Sequence, residues 1–113
     1  MEKIVAQGLL YDFYGELLTE HQRRIYEDVI FNDMSLSEIA EEQGISRQGV
    51  HDLIKRCDRI LAGYEEKLRL VEKFNQTKLM VKEIKELAGR YKESGDEALI
   101  DKIEEISEKI GQL

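Results

Sequence analysis

The sequence predicts an all-α fold on three observations. It contains no proline, its glycines are sparse, and apolar residues recur at spacings of three and four along nearly the whole chain. Strands have almost no room in that pattern. A chain of 113 residues makes one compact helical domain, or a small domain with a helical extension, and buries somewhat over 60%, roughly, of its unfolded surface.

The first amphipathic helix is expected near Lys3 to Leu18, with Val5, Leu9, Leu10, Phe13, Tyr14 and Leu17 as its apolar positions. Thr19 is a cap for a second helix, near Glu20 to Phe31, whose buried stripe is Ile25, Tyr26, Val29 and Ile30. Asn32 to Ser35 form a loop. Ser35 and Glu38 then have the spacing of a capping box, so a short helix starts there with Leu36, Ile39 and Ala40 on one face. Gly44 ends it, because the residue just past a helix often takes a left-handed backbone that glycine adopts without a Cβ clash. Ile45 is expected to point back into the core.

Ser46 is the natural N-cap of the next helix, and Ile45 with Val50 has the spacing of a hydrophobic staple. At about 100° per residue, Val50, Leu53, Ile54, Cys57 and Leu61 fall on one side. Gln48, Asp52, Lys55 and Arg59 lie opposite, flanked by Arg47, His51 and Arg56. Two helices joined by a tight glycine turn, with such a polar face on the second, form a helix-turn-helix. The apolar spacing continues through Ile60, Leu61, Tyr64, Leu68 and Val71, so this recognition helix is expected to run to about Lys73.

Phe74 to Thr77 offers a turn or capping site. A further helix using Leu79, Met80, Ile84, Leu87 and Ala88 reaches about Tyr91, and Lys92 to Asp96 breaks it. The last helix carries Leu99, Ile103, Ile106, Ile110 and Leu113 at alternating gaps of four and three, a heptad-like seam that needs a covering surface. The expected organisation is a helix-turn-helix domain over residues 1–73 and a C-terminal helical hairpin over 74–113. Tyr64, Leu68, Val71, Leu99, Ile103, Ile106 and Ile110 are expected to form either an internal bundle core on the long helix or the seam of a homodimer, and a homodimer through the C-terminal helices is the expected assembly.

The pattern L-T-x-x-Q-R from Leu18 to Arg23, followed by S-L-S-E-I-A-E-E-Q-G-I-S-R-Q-G-V from Ser35 to Val50, resembles the region-four helix-turn-helix of sigma factors. It resembles the small YlxM-like proteins more closely. D-F-Y-G-E-L-L-T (Asp12 to Thr19), Ser46 to Val50, I-K-R (Ile54 to Arg56) and L-x-x-Y-E-x-K-L (Leu61 to Leu68) all fit that family, and the likeness covers about two thirds of the chain. The resemblance implies a sigma region four-like domain and a regulatory or accessory role in the signal recognition particle pathway, with the particle's GTPase or its RNA as partner. The sequence departs from the family pattern at Gly49, where a better helix former is usual, and at His51, where an aromatic is common.

Function then divides two ways. Binding to DNA would use Ser46, Arg47, Gln48, His51, Lys55, Arg56 and Arg59, since Arg and Lys grip guanine or phosphate, Gln pairs with adenine, and a helix N-terminus meets phosphate. From Ser46 to Arg59 four basic residues face two acidic ones. Against this stand a formal net charge of -7 and Glu38, Glu41 and Glu42 on the preceding helix. A protein-interaction module would instead use acidic side chains, Glu38, Glu41, Glu42, Glu65, Glu66 and Glu72, to meet a basic partner.

Catalysis is not expected, because two histidines without ligand spacing, one cysteine and no glycine-rich phosphate loop supply no converging set of groups. Neither a metal nor a cofactor is expected. Cys57 falls on the apolar stripe, where a free thiol behaves as a small hydrophobe. The five tyrosines read as core-edge packing rather than base-stacking platforms. No apolar stretch approaches the roughly 20 residues of a membrane span, and no secretory signal is evident, so a cytoplasmic protein is expected.

Overall fold

The computed structural model describes residues 2–113, and among these there is no strand. Six α-helices follow in order within them: α1 Lys3–Tyr14, α2 Glu20–Ile30, α3 Leu36–Gln43, α4 Arg47–Leu68, α5 Leu70–Ser94 and α6 Glu97–Gly111. The first is shorter than its apolar pattern predicts, because Gly15–Leu17 tighten into a single 3-10 turn before the extended residue Leu18. No helix among the described residues is long and apolar enough to cross a membrane.

Packing divides the chain into two units, one ending at Val71 and the other Glu72–Leu113. In the first unit α4 is the central element, with α1, α2 and α3 packed on it. Its core joins Tyr14, Ile25, Tyr26, Ile39, Val50, Cys57 and Leu61, each almost completely removed from solvent. These are the three- and four-spaced apolar positions of four helices, and burying them is what holds short helices such as α3 in place. Ile45 does not join this core. It is 38% exposed, at the rim of the turn.

The long helix does not run to Lys73. It stops at Arg69, which adopts a left-handed backbone with φ 55°, and α5 starts at once. Three hydrogen bonds explain why: the Leu70 amide donates to the Tyr14 hydroxyl at 3.1 Å, the Val71 amide donates to Glu65 Oε1 at 3.0 Å, and the Tyr14 hydroxyl donates to that same oxygen at 2.5 Å. Opening amides that a helix cannot satisfy itself are thus capped by a side chain from α1 and one from α4. Phe74 to Thr77, expected as a turn, lie inside α5. The Thr77 hydroxyl donates to the Lys73 carbonyl at 2.8 Å, so the polar side chain is satisfied within the helix.

The second unit is a helical hairpin. Gly95, with φ 69°, follows α5, and Asp96 caps α6 by accepting the Ala98 amide at 3.0 Å. Leu87, Leu99 and Ile106 are its buried side chains, with Met80, Ile84, Ile103 and Ile110 packed around them. Of the seam residues named from the heptad pattern, Leu99, Ile103, Ile106 and Ile110 therefore pack here, Tyr64 and Val71 border the core of the first unit, and Leu68 is 47% exposed.

Candidate nucleic-acid interface

The local chemistry of the helix-turn-helix is closed at every end. The Glu38 amide donates to Ser35 Oγ at 3.1 Å and the Ser35 amide donates to Glu38 Oε1 at 3.1 Å, a complete capping box. These bonds with Ser35 hold the Glu38 carboxyl below the usual range. The supporting helix α2 begins the same way, through Thr19 and Gln22. Gly44 takes φ 68° and its amide donates to the Ala40 carbonyl, which turns the chain into α4.

Ser46 caps α4 by accepting the Gly49 amide at 2.9 Å. This gives Gly49 a place in the geometry. It sits in the first turn, where a Cβ would come 3.1 Å from Ser46 Oγ and within 4.0 Å of Ile45. A side chain there would press on the capping hydroxyl, which offsets the helix propensity it would add.

From Ser46 onward α4 shows one polar face. Ser46, Arg47, Gln48, His51, Asp52, Lys55, Arg56 and Arg59 are all exposed, while Val50, Ile54, Cys57 and Leu61 are buried beneath them. Gln48 Nε2 donates to Asp52 Oδ1 at 2.9 Å, and His51 Nδ1 lies 3.8 Å from the same oxygen. Arg56 and Asp52 share a shallow cleft with Thr19, His21 and Gln22 at the start of α2. The beginning of the supporting helix therefore lies beside the polar face of α4.

The second acidic residue of this segment, Asp58, is half-buried at the edge of that face and already engaged. Its Oδ1 accepts the Tyr26 hydroxyl at 2.6 Å and Gln7 Nε2 at 2.9 Å. Burial pushes the Tyr26 phenol well above its ordinary range, and the Asp58 hydrogen bond and charge push it further. Four basic side chains on the solvent side thus share the exposed face with one fully exposed carboxylate, Asp52, while Asp58 stays hydrogen-bonded at its edge, in a cleft it lines with His51 and Lys55. An acid one position past the buried Cys57, in a chain that must house a buried tyrosine, is the signal that could have revealed this.

The same device recurs. Tyr11 donates to Glu27, and its phenol is pushed up to about 12, first by burial and then by that hydrogen bond. Tyr14 donates to Glu65, with the same order of causes for its raised value. Tyr11, Tyr14 and Tyr26 are anchors that aim a hydroxyl at a carboxylate. Glu65, one of the acidic docking candidates, is therefore engaged inside the unit, and Glu38, another, is engaged in its capping box. Burial lifts the Cys57 thiol up to about 11, which keeps it protonated and unreactive near neutral pH.

Comparison with known proteins agrees with this geometry. A family model described as "Putative helix-turn-helix protein, YlxM / p13 like", UPF0122, matches residues 1–107. YlxM of Bacillus subtilis is 44% identical over 107 residues, covering 94% of this chain and 97% of its own length. A UPF0122 protein of Caldanaerobacter subterraneus is 54% identical over 78 residues, 69% of this chain and 67% of its own. Another, from Bacillus cereus, is 39% identical over 113 residues, 100% of this chain and 98% of its own.

Proposed function

Because this chain belongs to the UPF0122 family of YlxM / p13-like helix-turn-helix proteins, we propose that it is a non-enzymatic regulatory protein that binds duplex DNA through the exposed face of α4. The observation that carries this reading is the separation of charge on that helix. Arg47, Lys55, Arg56 and Arg59 are exposed, and the half-buried Asp58 is hydrogen-bonded to Tyr26 and Gln7. In a helix-turn-helix the first residues of the recognition helix reach base edges and later ones meet phosphates. Arg47 and Gln48 hold the first position, Lys55, Arg56 and Arg59 the second, and the α4 N-terminus with Ser46 favours a phosphate oxygen. Gln48 must leave Asp52 to pair with a base.

The test is an anisotropy titration with duplex DNA across salt. Arg47→Ala or Lys55→Glu is expected to weaken binding and to flatten the salt dependence by about one for each phosphate no longer neutralised. Binding that both variants leave intact would overturn the proposal.

The family resemblance and one further observation support a second reading, an accessory role in the signal recognition particle pathway with its GTPase or RNA. Glu41, Glu42 and Glu66 are exposed on a chain of net charge -7, a surface that favours encounter with a basic protein. No complex in a pull-down, under conditions where the GTPase and its RNA bind each other, would remove this reading. Assembly with a second copy is supported by Leu79, 68% exposed, and Leu113, 37% exposed, at the open end of the C-terminal hairpin. Sedimentation equilibrium showing only monomer at micromolar concentration would exclude it.

A further inference from the structure

The C-terminal hairpin carries a surface that the helix-turn-helix does not use. On α5, Lys78, Lys82, Lys85 and Lys92 fall within an arc of about 80° at 100° per residue, and all four are exposed. No carboxylate lies inside that arc: Glu86 and Glu93 border it and Glu83 lies beyond them. Met80, Ile84 and Leu87, which pack in the hairpin core, point to the other side of the helix. None of Lys82, Lys85 and Lys92 is in an ion pair among the described residues, and Lys78 Nζ sits 5.3 Å over the Phe74 ring. Gly89, between Lys85 and Lys92, is exposed with open space where its Cβ would be. Glycine there costs helix stability without any packing need, and it lets an elongated ligand approach the helix backbone.

We propose that this lysine face of α5 is a second phosphate-contacting surface, specific for the backbone of duplex DNA and independent of α4. From Lys78 to Lys92 the row is about 21 Å long, the rise of about six phosphates along one strand. The face has ammonium groups alone. It lacks the forked guanidinium and the Asn or Gln amides that read base edges, so it suits a uniform line of charge and not a sequence. A nucleic-acid duplex rewards point charges spaced along it because each one releases condensed counterions, and it offers them at a fixed, rigid spacing.

The test uses the full-length chain and a random-sequence DNA duplex, with affinity measured by anisotropy between about 50 and 200 mM salt. The quadruple variant Lys78→Gln, Lys82→Gln, Lys85→Gln, Lys92→Gln is expected to lower the slope of log affinity against log salt by about three to four. The same decrement is expected on an Arg47→Ala, Lys55→Ala background, so failure of the α4 reading and failure of this one separate. Gly89→Glu, which adds a carboxylate to the row in a better helix former, is expected to weaken binding severalfold with helix content retained. An unchanged slope in the quadruple variant, unaffected binding by Gly89→Glu, or polyglutamate competing as well as duplex DNA at equal charge would each overturn the proposal.

Discussion

The two units are built from the same kind of helix, yet they are held together differently. The first packs four helices around side chains sealed from solvent and pins Tyr11, Tyr14 and Tyr26 to carboxylates; the second is a hairpin whose buried side chains are Leu87, Leu99 and Ile106, each 5 to 7% exposed. The first unit therefore has three helices packed against α4, which leaves only its polar face in solvent, and the second has packing on one side of each helix. Precision is available to the first unit for presenting a surface at fixed positions. The second offers long exposed helix faces, suited to binding that depends on charge more than on exact placement.

The sharpest way to break this comparison is to delete the same volume from each core. Ile39→Ala removes a side chain that is 0% exposed and surrounded by rigid neighbours, so a cost of about 3 to 5 kcal/mol is expected in urea unfolding, with loss of DNA binding. Leu99→Ala should cost less, about 2 kcal/mol, because a two-helix interface can close over the gap. Equal costs would mean that the hairpin core is as constrained as the first unit's.

How far the sequence could be read follows the same division between local and distant causes. Ser35, Gly44 and Ser46 fix the ends of α3 and the start of α4 through partners within five residues, and a local pattern shows such ends. The end of α4 is different. Nothing near Arg69 breaks a helix; the break depends on Tyr14, 56 residues from the amide it caps, and apolar spacing alone carries α4 past it. Asn75 and Thr77 look like turn residues for a local reason that α5 overrides by satisfying Thr77 internally. On the interface, the exposed positions of Arg47, Lys55, Arg56 and Arg59 follow from helical period, whereas the engagement of Asp58 depends on Tyr26 in another helix.

The tyrosine–carboxylate pairs offer a second lever, since they belong to the first unit alone. Tyr26→Phe leaves Asp58 without its hydroxyl donor, and Tyr14→Phe removes both the partner of Glu65 and the cap on Leu70; each is expected to cost about 1 to 3 kcal/mol. The phenols also set a pH dependence. Folding raises the pKa of Tyr11, Tyr14 and Tyr26 above the ordinary value of 10.0, so the neutral form is favoured in the native state. Their contribution is complete below pH 10, where both states keep the proton. It is lost as pH rises from there through the folded values, about 12 for Tyr11. Ultraviolet titration of tyrosinate should show late, cooperative ionisation with loss of helix signal. Ionisation of all five tyrosines near pH 10, with the helix signal intact, would contradict the pairing.

The smallest effect compares two caps of the same chemistry. Ser46→Ala at α4 and Asp96→Ala at α6 each remove one side-chain acceptor from a helix amide, worth about 1 kcal/mol apiece. Their consequences should differ in kind. The Gly49 amide is left without its acceptor beside Arg47 and Gln48, so Ser46→Ala should weaken DNA binding beyond its effect on stability, through a looser first turn and a missing hydroxyl partner for phosphate. Asp96→Ala acts far in sequence from Arg47 and, by uncapping only the hairpin, should shift hydrogen exchange in α6 while leaving the affinity step due to α4 unchanged. A drop in affinity in Asp96→Ala equal to that in Ser46→Ala, measured on the Lys78→Gln, Lys82→Gln, Lys85→Gln, Lys92→Gln background where the α5 row contributes no charge, would show that the hairpin and the helix-turn-helix do not act as separable surfaces, because a fraying confined to α6 then has no other route to DNA affinity.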